Sequence, residues 1–281
     1  MGPRTAGEHC MQDTAFDLPR YLAALPLFKD MPAEALARVA AGTRVCRFAR
    51  NDTLFRVGAP CQEFFIVVFG QIKMFALSAA GQEKVLELVG PGMSFAEAPM
   101  FVGGMHRVSA QALVDSLLLA VGKPTVLDEI ARDPGLALRM LAGLSRRLHR
   151  LNEDVEASAL HTGLRRVADY LLNELQEAGV GARAVSLPAS KATIALRLSL
   201  TPEYFSRMLH QLESEGLIRI DKRAITITNA ECLRTYSSLG AGAPEPPCHN
   251  GVQCLRAQAK QRGKATAPCP AASRAATARS A

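Results

Sequence analysis

Glu203, Ser206 and Arg207 stand in the spacing E-x-x-S-R directly after Pro202. Residues three and four apart share one face of a helix, and proline is well suited to the first helical position. The three side chains therefore project together from the start of one helix. Their chemistry is that of base-edge readout in a DNA major groove. A guanidinium donates to guanine O6 and N7, a carboxylate accepts from cytosine N4, and a serine hydroxyl serves either a base edge or a thymine methyl. The competing reading is a surface ion pair between Glu203 and Arg207, one turn apart. Thr201, in the turn before this helix, and Lys222 and Arg223, at a turn farther on, complete the candidate DNA-contacting set, the two cations facing phosphates.

The elements that must position these residues are legible on both sides. Residues 190–215 divide into a helix, a tight turn at Ser199-Leu200-Thr201 and a second helix. Ile194, Leu198, Phe205, Met208, Leu209 and Leu212 fall where two crossing helices share a core, and the small Ala195 permits their close approach. This is helix-turn-helix geometry. Gly216 to Ile220, then Asp221-Lys222-Arg223, then the alternating Ala224-Ile225-Thr226-Ile227-Thr228 read as a hairpin that serves as a wing. Upstream, a helix over about His161 to Gln176 buries Leu164, Val167, Ala168, Leu171, Leu172 and Leu175.

Asp133-Pro134 supplies an N-cap and a first-turn proline for a longer helix. Along it Leu141, Leu144, Leu148, Leu151 and Val155 recur at steps of three and four, a coiled-coil seam suited to pairing with a second copy. Arg146, Arg147, Arg150, Glu153 and Asp154 load its other faces with charge. A single helix packed on its own domain is the alternative.

From Ala41 to about Val121 the texture is of short apolar runs punctuated by glycine-containing turns, which reads as an all-β sandwich or roll. Ahead of it, a short helix from Leu18 continues past Asp30-Met31-Pro32 into Ala33 to Ala41. The expected organisation is a flexible N-terminus (1–17), a β-roll sensor domain (18–123), a linker and dimerisation helix (124–158), a winged helix-turn-helix (159–238) and a disordered basic tail (239–281). The fold class is α+β.

The net charge of +7 is weak evidence for nucleic acid, because the segment after Ser238 carries about +5 of it. Apolar runs are too short to cross a bilayer and no signal pattern opens the chain, so the expected location is the cytoplasm, with no membrane partner. The seven cysteines are odd in number and widely spread, and the expectation is unpaired thiols, with Cys46 and Cys61 as small core residues. No Ser/His/Asp, P-loop or metal-ligand constellation points to an enzyme.

From about Leu25 to Tyr236 the chain resembles the Crp/Fnr superfamily of bacterial transcription regulators in its order of β-roll (cyclic-nucleotide-binding-like, a jelly roll), heptad helix, helix-turn-helix and wing. The E-x-x-S-R helix is similar to the Fnr class, which implies TTGAT-type inverted repeats as the operator, double-stranded DNA and RNA polymerase as partners, and a homodimer. Pro202 stands where cAMP-receptor-like members carry a further base-reading Arg. The cyclic-nucleotide pattern, Gly-Glu-Leu followed by Arg-Ser, is replaced here by Ala96-Glu97-Ala98 and Arg107-Val108. Ala96 obstructs close backbone approach to a phosphate, and Val108 removes a hydroxyl donor. Cyclic AMP is thus disfavoured, and Glu97 and Arg107 are expected to form a structural pair within a pocket that also holds Phe95 and Met100.

Cys10 alone precedes the roll, so a four-thiolate iron-sulfur cluster is not expected. Gly81-Gln82-Glu83-Lys84, Ser94 to Phe101 and Pro202 to Arg207 resemble the Dnr branch of nitric-oxide-responsive denitrification regulators. That likeness implies haem b in the roll and activation by nitric oxide, with His106, His149 and His161 as candidate axial ligands. A redox or cyclic-nucleotide effector, or a roll that controls a partner protein, are the other readings.

Overall fold

The computed structural model describes residues 10–11, 17–179 and 181–239. The basic tail and most of the N-terminal stretch expected from the sequence lie outside them.

The N-terminal half is a β-roll of two antiparallel sheets. One holds β1 (Cys10–Met11), β2 (Thr43–Phe48), β9 (Ser116–Gly122), β4 (Glu63–Phe69) and β7 (Ser94–Phe95), in that order across the sheet. The other runs β3 (Thr53–Phe55), β8 (Ser109–Ala112), β5 (Ile72–Leu77) and β6 (Glu83–Val89). Between the sheets lies a core of Phe48, Leu54, Phe55, Phe65, Val67, Ile72, Phe95 and Leu118. The outer face of the first sheet is covered in turn by α1 (Leu18–Ala23) and α2 (Ala33–Ala41), whose Leu22, Leu36 and Val39 meet Phe64, Ile66 and Leu119. β4 is therefore buried on both faces, which is why Phe64 to Val67 read as an unbroken apolar run rather than an alternation.

Beyond the short α3 (Glu97–Phe101) and β9, residues expected as linker form a helix, α4 (Lys123–Arg132). Its Glu129 is 1 % exposed and is held by Arg38 Nε at 2.6 Å, Arg38 Nη2 at 3.0 Å and Arg132 Nη1 at 2.8 Å. The long helix α5 spans Pro134–Leu160, and the Asp133 side chain accepts from Gly135 N at 2.8 Å as its N-cap. His161 ends α5 rather than opening the next helix; Thr162 caps α6 (Gly163–Glu177) by accepting from Arg165 N.

The C-terminal part comprises α6, β10 (Ala184–Ser186), α7 (Lys191–Arg197), α8 (Pro202–Ser214), β11 (Ile218–Asp221), β12 (Ala224–Ile227) and α9 (Ala230–Leu239). Phe205, Leu209, Leu212, Ile194 and Ala195 join Leu164, Val167 and Leu171 in its core. No helix among the described residues is long and apolar enough to cross a membrane.

One cysteine departs from expectation. Cys46 is disulfide-bonded rather than a free core thiol. The pairing of β1 with β2 places the Cα of Cys10 directly opposite that of Cys46, a proximity that spacing in sequence does not reveal. Cys61 is free and buried, and burial raises its pKa above the ordinary thiol value.

Candidate nucleic-acid interface and sensor pocket

Each helix of the helix-turn-helix starts on a side-chain cap. Ser190 accepts from Thr193 N at 3.1 Å to start α7, and Thr201 accepts from Tyr204 N at 3.2 Å to start α8. Between them Ser199 takes a left-handed conformation, φ +56°, and Leu200 N reaches back to Ala195 O at 2.9 Å. The turn is thereby closed onto α7, and Pro202 opens α8.

Phe205, Met208, Leu209 and Leu212 face inward from α8, so Glu203, Ser206 and Arg207 are left on the outer face. Glu203 and Arg207 are exposed, and no ion pair joins them among the described residues. Arg207 instead lies over the Tyr204 ring, its Cζ 4.8 Å from the ring centroid, a cation–π arrangement. Tyr204 in turn sits on Gly163 at the start of α6: a Cβ there would come within 2.4 Å of Tyr204 Cε1. Sequence reasoning passed over both residues. The spacing of Tyr204 and Arg207 at i, i+3 was a signal for the first, whereas the second depends on how α6 crosses α8.

The wing forms as expected. Asp221 pairs with Ala224, the two-residue connection is Lys222-Arg223, and Lys222 has φ +54°. Both cations are exposed, and β10 adds a third strand against β12. Helix face and wing tip offer base-reading and phosphate-binding chemistry respectively.

On α5 the expected seam points outward. Leu141 is 60 %, Leu148 60 %, Leu151 40 % and Val155 68 % exposed, with Leu144 half-buried and Leu138 also exposed. Arg147 is the exception to the charged outer faces. It folds back onto the roll, where it pairs with Glu87, lies 3.5 Å from Glu97 Oε2 and donates to Met74 Sδ at 3.1 Å.

The expected Glu97–Arg107 pair therefore does not form, because α5 supplies the guanidinium and Arg107 is exposed. Nor do the four pocket candidates share one lining. Phe95 is fully buried in the inter-sheet core, with its ring 5.4 Å from that of Phe65, while Met100 is buried in the other core, beneath the N-terminal helices. Ala96 adopts φ +67° immediately ahead of Glu97.

The three candidate haem ligands lie on separate elements. The His106 ring stacks on Phe55 at 3.6 Å and is 5 % exposed; burial lowers its pKa to about 4, keeping it neutral. His149 is exposed on α5, and His161 Nδ1 lies 3.2 Å from Asp169. The crevice between the roll and the helices, lined by residues that include Phe28, Phe64, Val126, Leu136 and Met140 but no histidine or cysteine, leaves no room even for a water molecule. Pockets that hold cofactor-sized ligands are far roomier, about 300–1,000 Å³. In this conformation the described residues do not fit haem.

Comparison with known proteins is consistent along the chain. Residues 45–133 match the cyclic nucleotide-binding domain family and residues 165–236 the Crp-like helix-turn-helix domain family. The chain is 28% identical over 208 residues to the cyclic AMP receptor protein of Thermus thermophilus, covering 74% of this chain and 94% of that one. It is similar in fold to FixK2 from Bradyrhizobium japonicum, with a TM-score of 0.64 at 23% identity, covering 72% and 99% of the two chains. It is 32% identical to DNR from Pseudomonas aeruginosa, covering 80% of this chain and 99% of that one, with a TM-score of 0.43. The chain belongs to the Crp/Fnr family of DNA-binding transcription regulators, which are not enzymes.

Proposed function

We propose that the protein acts in the cytoplasm as a homodimer that reads TTGAT-type inverted repeats and activates transcription through RNA polymerase. The observation that carries this reading is the outer face of α8, where Arg207 is braced on Tyr204 beside Glu203 and Ser206, with Lys222 and Arg223 free at the wing tip. Thr201 belongs to the same surface as the cap that sets where α8 begins. Two such helices related by a two-fold axis read half-sites about one helical turn apart. The apolar stripe Leu141, Leu144, Leu148, Leu151 and Val155, exposed but for the half-buried Leu144, supplies the axis, because burying it against a second copy removes it from water.

The finer reading, control of anaerobic and denitrification genes by nitric oxide through haem, rests on the Dnr-like motifs and the 32% identity to DNR. The described histidines do not converge on a haem site, so no step is routed through it. Titration of a TTGAT-N4-ATCAA duplex and a scrambled duplex at fixed salt, with and without haem and nitric oxide, tests both levels. Discrimination between the duplexes supports the regulator. Discrimination that ignores haem and nitric oxide removes the signal and keeps the operator.

A further inference from the structure

β6 meets the rest of the molecule on both of its faces. Its pairing with β5 shifts register between Met74 and Phe75, so that Phe75 faces Val85 and Lys73 faces Leu88. Phe75 and Lys73 are two residues apart and share a face. Val85 and Leu88 therefore share one too, and Lys84 and Glu87 take the other. Without the shift, Val85 and Leu88 would point to opposite sides.

The first face belongs to the DNA-binding part. Val85 is fully buried and Leu88 7 % exposed within the apolar cluster that contains Ile194, Phe205 and Leu209. The second face carries two charged anchors. Glu87 pairs with Arg147 and lies 3.8 Å from Arg150, both on α5. Lys84 Nζ donates to Leu196 O at 3.3 Å, Arg197 O at 2.5 Å and Ser199 Oγ at 2.6 Å. An ammonium has three protons, and all three are used on the C-terminal end of α7 and the turn that leads into α8. Carbonyls at a helix C-terminus attract a cation. Arg166 supports the same turn by donating to Leu198 O at 2.7 Å, and Arg197 lies 3.7 Å from Asp154 of α5. Burial lowers the pKa of Lys84, the cost of placing it there. Docking leaves the reading face clear, because Glu203, Arg207, Lys222 and Arg223 remain exposed.

We propose that Lys84 is a positioning residue for operator reading: it latches the helix-turn-helix turn to the sensor strand β6, and this docked arrangement is the DNA-competent one. The inference rests on the operator reading above. Because Lys84 and Glu87 share one strand, a shift of β6 within the roll moves both the hold on α5 and the hold on α7. A ligand that binds the roll differently in its docked and undocked states thereby acquires coupling to DNA.

The test compares full-length wild type, Lys84→Met and Lys84→Arg by fluorescence anisotropy on the inverted-repeat and scrambled duplexes at one salt concentration. Thermal unfolding and the rate of tryptic cleavage at Arg165 and Arg166 are measured alongside. Lys84→Met is expected to weaken specific binding about 5- to 150-fold, to leave scrambled binding within about twofold, and to speed cleavage in the first turn of α6. Lys84→Arg recovers part of the loss. A general loss of fold lowers both duplex affinities together, and then Ser199→Ala, which removes one acceptor of the latch, is expected to give a smaller specific loss in a folded chain. Specific binding by Lys84→Met equal to or tighter than that of wild type overturns the proposal. A wild type that does not distinguish the duplexes overturns the operator reading, while the cleavage rate still reports whether Lys84 holds the two parts together.

Discussion

The guanidinium of Arg207 lies over the ring of Tyr204, 4.8 Å from its centroid, and the edge of that ring rests on Gly163 of another helix. Arg207, the base reader of the proposed function, is thus braced through a ring whose place is set by the absence of a side chain. Arg207→Ala is expected to lower specific affinity by about 1–3 kcal/mol per half-site, the value of one bidentate base contact, with little change on a scrambled duplex. Tyr204→Leu removes only the bracing and is expected to cost about 0.5–1 kcal/mol. Anisotropy on both duplexes measures each.

Gly163→Ala places a methyl against Tyr204 Cε1. The ring is expected to move and specific affinity to fall, as in Tyr204→Leu. The double variant Gly163→Ala, Tyr204→Leu should then lose less than the sum of the two. Full additivity in this cycle would place the two effects on separate routes.

Lys222 and Arg223 act on phosphates in this account. Replacing either by Ala is expected to weaken operator and scrambled duplex alike, and to lower the slope of log affinity against log salt by about one. An effect confined to the operator would make them base readers instead.

The helix-turn-helix was legible because its signals are local: the turn at Ser199-Leu200-Thr201, Pro202 at the start of the second helix, and apolar positions at helical spacing. The α+β class and the wing followed from the same kind of signal. What escaped depends on tertiary placement. Arg147 looked like solvent-facing charge because the heptad period fixes only the apolar stripe, not which charged neighbour folds back onto Glu87 and Glu97. Lys84 stood out only as part of the Gly81-Gln82-Glu83-Lys84 motif, and nothing there pointed to what it touches, since its three acceptors lie more than 110 residues away. The disulfide at Cys46 depends on a strand pairing with the N-terminal stretch, which sequence had left irregular.

Glu129 gives the fold an acid-sensitive brace. Hydrogen bonds from Arg38, then Arg132, hold its pKa below the ordinary carboxylate value. A depressed carboxylate contributes its stability above the unfolded pKa and loses it as pH falls through the folded one. Glu129→Gln is expected to cost about 1–3 kcal/mol near pH 7, and this difference from wild type should shrink as pH falls below about 4.5. Urea unfolding of both proteins from pH 7 to pH 3.5 measures it; a difference that is constant with pH contradicts the assignment.

Leu148, 60 % exposed at the middle of the α5 stripe, carries the dimer reading. Leu148→Glu places like charges across a two-fold seam. Sedimentation is expected to show monomers, and footprinting a single contacted half-site where wild type protects both.

The most direct test of the central claim is the affinity ratio of wild type for TTGAT-N4-ATCAA over a scrambled duplex, measured beside Arg207→Ala at one salt concentration. Wild type is expected to show a ratio of at least about 10³, and Arg207→Ala to lower it through loss of operator affinity alone. Equal affinity of wild type for the two duplexes would contradict the claim.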